Sequence, residues 1–242
     1  MSVGVIAQEQ KLALRVSDYR PEIEYRVATA PDELDEIYRL RYRAYLREGA
    51  IEPNRSHSFT DDYDRLDNCW IFGIHAEDQL VSSIRLHVLS KERRKGPALD
   101  VFPDIVGPMI DAGQVIVDPT RFVSDEAANR KYPELAFITM RVPCMACLAF
   151  DADYCFATVR AEHAPFYERI FDAKALCEPR PYPTLKYPIC VMRIDVEKMR
   201  DILIARHSVF QSTVAEWQMV FENAELTRQV AEIAAPPIEF LG

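Results

Sequence analysis

Glycine is scarce in this chain of 242 residues: there are seven in all, and none between Gly113 and Gly242. That stretch therefore offers no glycine-rich loop whose backbone amides could cradle a phosphate. Cysteine is sparse too. The six cysteines, Cys69, Cys144, Cys147, Cys155, Cys177 and Cys190, are too few for a disulfide scaffold, and most sit among apolar neighbours, so they read as buried thiols. The Cys144-Met-Ala-Cys147 pair has no second pair and no histidine at ligand spacing, so no metal site is expected. No run of ~18 apolar residues is present, and the N-terminus lacks a basic start followed by an apolar run and a small-residue cleavage site. A cytoplasmic, reducing location is the expectation. Basic residues are outnumbered, giving a net charge of −9, so no global positive field exists to hold nucleic acid or an anionic membrane. A polyanionic partner would need a local patch.

What is present, 49% hydrophobic and 28% charged residues, suits one large globular core. The first twenty residues are weakly patterned and read as an arm. Ile23 to Ala28 alternates as a strand, and Thr29-Ala-Pro-Asp-Glu33 opens a helix with a hydroxyl cap, a proline in the first turn and two acids at the positive end of the dipole. That helix runs to about Arg47 and stops at Gly49. Cys69–Ile74 and Leu80–Leu89 form a hairpin joined by His-Ala-Glu-Asp-Gln. The segment from Lys91 to Gly113, with Pro97, Pro103 and Pro108, reads as irregular. Val115 to Asp118 is a short strand that Pro119 ends or bulges. A second long helix spans Pro133 to Phe150, with a kink at Pro143. Tyr154 to Val159 is a buried strand, Pro165 to Lys174 a helix, Tyr187 to Asp195 a last strand, and Val196 to Thr227 an amphipathic helix. The order predicts an α/β fold with a mixed sheet in one domain over 1–242, its core at about 22–195 and a C-terminal helical extension over 196–242.

Several charged residues fall where apolar ones belong. Arg41 lies in the apolar stripe of Leu34, Ile37, Tyr38 and Tyr45, so it is either paired at a pocket or reaches past the helix edge to a surface carboxylate. Asp61, Asp62, Asp64 and Asp67 put four acids within seven residues of the next loop. In the hairpin, Ile84, Leu86 and Val88 share one face, and Arg85 lies on the other with Ser83 and His87. Asp118 and Arg121 flank the Pro119 break. Each group alone has a bland reading as a solvated loop or surface ion pair, worth about 0–1 kcal/mol.

Their joint order is more specific. Arg41-x-x-x-Tyr45, Asp61-x-Tyr-Asp64, Arg85-Leu86 after a hairpin and Asp118-x-x-Arg121-Phe122 resemble the acyl-homoserine-lactone synthases and the related N-acyl amino acid synthases. Ala164-Pro-Phe-Tyr-Glu-Arg-Ile-Phe-Asp-Ala173 is similar to the helix after a core strand in Gcn5-related N-acyltransferases. The resemblance covers about residues 22–195 and implies a mixed twisted sheet of that type flanked by helices.

It also implies a reaction. A fatty acyl thioester on the phosphopantetheine arm of acyl carrier protein would slot between the strand ending near Asp118 and the strand 154–159, with no permanently bound cofactor. Asp118 would act as base through water, and Asp61 or Asp64 as ammonium ligands. Arg41, Arg85 or Arg121 would hold an acceptor carboxylate, with Tyr45 in the same substrate site. Backbone N–H groups near Pro119 would stabilise the oxyanion.

Acetyltransferases of this fold carry an Arg/Gln-x-x-Gly-x-Gly/Ala loop for the coenzyme A pyrophosphate. The corresponding residues 118–131 contain no glycine, which favours the carrier protein as donor. Arg93, Arg94, Lys95, Arg130 and Lys131 are its candidate docking residues, with Lys91, Arg160 and Arg169 in support. Departures from the lactone synthases, namely no tryptophan over residues 46–51 and Asp118 in place of glutamate, favour an amino acid acceptor over S-adenosylmethionine. The alternatives are an autoinducer synthase, an acetyl-coenzyme A dependent N-acetyltransferase and a non-catalytic lipid- or carrier-binding module. For the acyl chain, Phe137, Met140, Met145, Leu148 and Phe150 are candidate lining residues that also read as core.

Overall fold

The alternating runs assemble one mixed sheet. The computed structural model describes residues 14–15, 23–182 and 184–221. Its strands are β1 (Leu14–Arg15), β2 (Ile23–Val27), β3 (Cys69–Ala76), β4 (Gln79–Leu89), β5 (Ile116–Ser124), β6 (Tyr154–Val159), β7 (Lys174–Ala175) and β8 (Cys190–Asp195). They lie in the order β1-β2-β3-β4-β5-β6-β8-β7. Every neighbouring pair is antiparallel except β5 with β6. The hairpin turn is tighter than the five residues expected. Both strands run on until only Glu77 and Asp78 remain, at φ 53° and 62°, which suits the right-handed twist of the strands.

Helix α1 (Pro31–Arg47) begins with Pro31 in its first turn, but Thr29 is not its cap. Ala30 occupies the cap position, and the Glu33 carboxylate instead accepts from the backbone N–H groups of Thr29 and Ala30 at 3.3 Å each. The helix stops where Gly49 turns left-handed, φ 65°.

Residues 91–113 are not irregular: they fold as α2 (Pro97–Val101) and α3 (Pro103–Asp111). Pro97 and Pro103 are first-turn prolines, which begin helices rather than break them. β5 likewise continues through Pro119 to Ser124. Pro119, which has no N–H to give, lies just past the last residue pair of the β5/β6 ladder.

The chain continues through α4 (Glu126–Lys131), α5 (Leu135–Ala149) and α6 (Ala164–Phe171) to α7 (Val196–Arg206). The single helix expected from 196 is broken: His207 is extended, a short turn covers 208–210, and helix resumes at 214–221. Residues 222–242 lie outside the described residues, as do 1–13 and 16–22, which include most of the expected arm over 1–20.

The sheet separates two regions of core. Behind it, α5 is buried on nearly every side against Ile84, Leu86 and Val88 of β4, as expected of a helix apolar all round. In front, α1 covers β3 to β5, while α2 and α3 pack Phe102, Val106 and Ile110 against Ile116 and Phe156. Each such side chain contributes about 1.5–3 kcal/mol on burial. This leaves Ser83, Arg85 and His87, on the front face of β4, buried beneath α1 and the Asp62–Arg65 turn.

Candidate active site

The odd arginine of α1 is fully buried and paired. Arg41 Nη1 donates to both oxygens of Asp64, at 2.9 and 3.0 Å. Arg85 Nη1 donates to Asp64 Oδ1 at 2.9 Å and Asp61 Oδ1 at 2.5 Å, while its Nε reaches Thr120 Oγ1 at 2.9 Å. Arg121 Nη2 donates to Asp61 Oδ2 at 2.5 Å and Thr184 Oγ1 at 3.0 Å. The result is an alternating chain, Arg41–Asp64–Arg85–Asp61–Arg121, of three cations and two anions.

The Asp62–Arg65 turn sets the two acids in place. Asp61 accepts from the Tyr63 N–H at 3.1 Å, and Asp64 accepts from the Asp61 N–H at 3.2 Å and from Thr60 Oγ1 at 2.7 Å. Burial alone would raise the pKa of Asp64, but Arg41 and Arg85 overcome it and hold the carboxyl well below the usual range. Asp61 is lowered in the same way: Arg85 and Arg121 outweigh its burial. Both acids are thus engaged by guanidinium groups. One positive charge is left over in the chain, and Arg41 Nε, Arg41 Nη2 and Arg85 Nη2 have no partner among the described residues.

Arg121 reaches this cluster because β5 bulges. Ser83 pairs with Val123 and Arg85 with Thr120, so three steps on β5 oppose two on β4. The extra residue brings Thr120 and Arg121, adjacent in sequence, to the same face. Arg121 pays with a left-handed backbone, φ 54°, a strain of about 1–3 kcal/mol that persists only where surroundings enforce it. Ser82 Oγ donates to Val123 O at 2.7 Å beside the bulge, and Phe59, Tyr45 and Tyr182 surround the guanidinium at 4.4, 5.4 and 5.9 Å.

Asp118 stands apart from this chain. It is fully buried, with Oδ2 accepting from the Ala98 N–H at the start of α2 (3.1 Å) and Oδ1 accepting from Thr158 Oγ1 (3.3 Å). Burial pushes its pKa up to about 6, against the lowering effects of these bonds and of Arg85.

β5 and β6 pair only at Ile116/Tyr154 and Val117/Cys155, then separate. A cavity of about 510 Å³ fills the gap and passes through the sheet. Its front end is lined by Tyr45, Thr120 and Arg121, and its rear by Met140, Cys144, Phe171 and Met199. Of the expected acyl-chain residues only Met140 lines it; Phe137, Met145 and Phe150 pack into the core behind the sheet, and Leu148 is half-buried on α5. Arg41, Arg85 and Asp118 do not line it. Thr158 and Tyr167 do, and their chemistry was not anticipated from sequence. The signal for Thr158 was a hydroxyl within the apolar run of residues 155–159. Burial raises the Tyr167 hydroxyl to about 12, so it stays protonated.

The antiparallel β4/β5 pair separates the basic residues. Arg130 and Lys131 follow the Ser124 end of β5, where the gap opens and where Arg47, Asn129 and Arg160 line the cavity mouth. Arg93, Arg94 and Lys95 follow Leu89, which pairs with Ile116 at the closed end. There Arg94 is bound to Asp111 at 2.7 Å and Arg93 lies 5.8 Å over Trp70. Among the described residues no group of His, Cys, Asp and Glu could hold a metal, and no helix is long and apolar enough to cross a membrane. Five of the six thiols are buried and Cys177 is half-buried, all unbridged.

The family N-acyl amino acid synthase FeeM matches residues 36–195. The solved FeeM, an N-acyl amino acid synthase from uncultured soil microbes, is 17% identical with a TM-score of 0.63, over 76% of this chain and 97% of that one. The coenzyme A-dependent acyl-homoserine lactone synthase BjaI is 17% identical with a TM-score of 0.56, over 76% and 85%. The acyl-homoserine lactone synthase LasI is 17% identical with a TM-score of 0.54, over 72% and 88%. No curated protein matches. The sheet is of the Gcn5-related N-acyltransferase type, and the chain is an acyltransferase that belongs to the N-acyl amino acid synthase FeeM family.

Proposed function

We propose that this single-domain enzyme moves a fatty acyl chain from acyl carrier protein to the α-amine of an amino acid. The observation that carries this reading is the cavity through the β5/β6 gap, apolar at its rear and ending at Arg121 in front. A pantetheine arm entering at the Ser124 end pairs with the open backbone edges of β5 and β6 and delivers the acyl chain towards Met140 and Phe171. Arg121 faces the acceptor carboxylate, and the uncompensated charge of the arginine–aspartate chain favours an anion there. Arg41 and Arg85 lie too deep for substrate and hold Asp61 and Asp64 so that Arg121 keeps its aim. Tyr45 and Phe59 confine the guanidinium. Asp118 takes the proton of the attacking amine.

The donor reading has local support. BjaI is named as coenzyme A-dependent. In this chain Asp125 caps α4 just after β5, its Oδ1 accepting from the N–H groups of Ala127 (2.9 Å) and Ala128 (3.1 Å). The amides that a pyrophosphate would want are already bonded to a carboxylate. Carrier docking then falls to the mouth: reversing Arg130 and Lys131 to glutamate should raise KM for the carrier several-fold at low salt with kcat unchanged, while the same reversal at Arg93 and Arg94 leaves KM alone.

Purified protein given long-chain acyl carrier protein, the twenty amino acids and S-adenosylmethionine should form an N-acyl amino acid, detected by mass spectrometry. A lactone product instead would establish the autoinducer synthase. Amide formed only from acyl-coenzyme A would overturn the donor assignment.

A further inference from the structure

Asp118 presents a topological difficulty. Both of its oxygens are engaged, its exposure is 0%, and it does not line the cavity in which an amine would meet the thioester. The groups around it are the Ala98 N–H of α2, Thr158 of β6, Arg85 and its register partner His87 on β4, and Tyr182. Only one of its two hydrogen-bonding partners is also a cavity wall. Thr158 sits on β6, across the gap from β5, half-buried, with its residue lining the cavity and its Oγ1 donating to Asp118 Oδ1 at 3.3 Å. Arg85 binds Asp61, Asp64 and Thr120 through Nη1 and Nε, and its guanidinium, protonated throughout, has no site to accept the amine proton. His87 Nε2 is within hydrogen-bond distance of Tyr63 O, at 3.0 Å, and burial drives its pKa down to about 3, so it remains neutral.

We infer that Thr158 is a catalytic proton relay, carrying the amine proton from the cavity to Asp118. The inference rests on the N-acyltransferase reading above. As the amine nitrogen attacks, the C–N bond forms and an N–H proton passes to Thr158 Oγ while the hydroxyl's own proton passes to Asp118 Oδ1. The C–S bond then breaks, the sulfur leaves with the electron pair, and the proton returns along the same path to give the free thiol. Amine plus thioester thus becomes amide plus thiol, with Thr158 and Asp118 restored. A pKa of about 6 suits Asp118 to this exchange: it is ionised at neutral pH and yields its proton readily to a thiolate, whose ordinary pKa is about 8.5.

The test compares Thr158→Val, Thr158→Ser, Thr158→Ala, Asp118→Asn and Asp118→Asn/Thr158→Val in the full chain, following thiol release and product mass across pH 5–9 at saturating substrates. Valine keeps the shape and removes the hydroxyl. Thr158→Val and Thr158→Ala should each lower kcat roughly 10²- to 10⁴-fold with donor KM unchanged. Thr158→Ser should stay within about tenfold of wild type and keep its acidic pH limb, and the double variant should be no slower than Asp118→Asn alone. Equal rates for the serine and alanine variants, or multiplying losses in the double variant, would overturn the relay. Ratios are taken with whichever amine the wild type accepts. Failure of the amino acid reading therefore shows as no N-acyl amino acid from the wild type, and failure of the relay as ratios near one.

Discussion

Replacing Asp118 by asparagine is expected to lower turnover roughly 10²- to 10⁴-fold while making the folded protein more stable at neutral pH. The two effects share one cause. Burial raises the carboxyl to about 6 from 3.8, so the folded state resists ionisation that the unfolded chain undergoes freely. A raised pKa contributes its stability at pH values below the unfolded value and loses it as pH climbs through the folded one. Between about pH 4 and pH 6 the wild type therefore gives up about 3 kcal/mol, which asparagine does not. The amide preserves both bonds, its oxygen accepting from Ala98 and its NH₂ donating to Thr158. Denaturant midpoints for the two proteins should coincide near pH 3.5, separate between about pH 4 and pH 6 and stay apart above it, with asparagine the more stable. Coincidence at pH 7 would show that Asp118 is not a strained, function-serving carboxylate.

The opposite result is expected at the centre of the arginine–aspartate chain. Arg85→Met removes the cation shared by Asp61 and Asp64 and leaves two carboxylates in a closed site, for a loss of about 3–5 kcal/mol. Asp64→Asn should act similarly, because Arg41 then has no anion. Here the sign of the pH dependence reverses. Asp61 and Asp64 have depressed pKa values, so their stabilisation is present above the ordinary carboxylate range and disappears as pH falls below about 4. Urea unfolding at pH 7 and pH 3 measures both effects. A loss under 1 kcal/mol in Arg85→Met would place the cluster with exposed ion pairs, against its burial.

Periodicity made much of this fold legible. Tyr154–Val159 emerged with the predicted bounds because a short apolar run flanked by polar residues admits one reading, and α1 followed from Pro31, its first-turn acids and Gly49. Proline was the misleading residue. Pro97 and Pro103 were read as irregular chain but sit at helix starts, whereas Pro119 was read as a strand end or a bulge, and the strand runs on through it and bulges just beyond, between Thr120 and Val123. The location of a proline within hydrogen bonding depends on tertiary pairing that the sequence does not display.

The same limit applied to the site. An arginine in an apolar stripe announced Arg41, and order along the chain grouped it with Asp61, Asp64, Arg85 and Arg121. The bulge that turns Arg121 forward, the path from Thr158 to Asp118 and the opposite ends reached by Arg93 and Arg130 all depend on strand register, which local pattern leaves open.

That Arg121, at the front end of the cavity, holds the acceptor carboxylate is the step of the proposed reaction on which the rest depends. It is tested most directly by steady-state kinetics of wild type and Arg121→Lys with the accepted amino acid and with its methyl ester. Esterification and the substitution should each raise acceptor KM at least tenfold, the ester should be no worse than the free acid for the variant, and carrier KM should stay unchanged. Equal use of acid and ester by the wild type, or a variant impaired only towards the carrier, would contradict it.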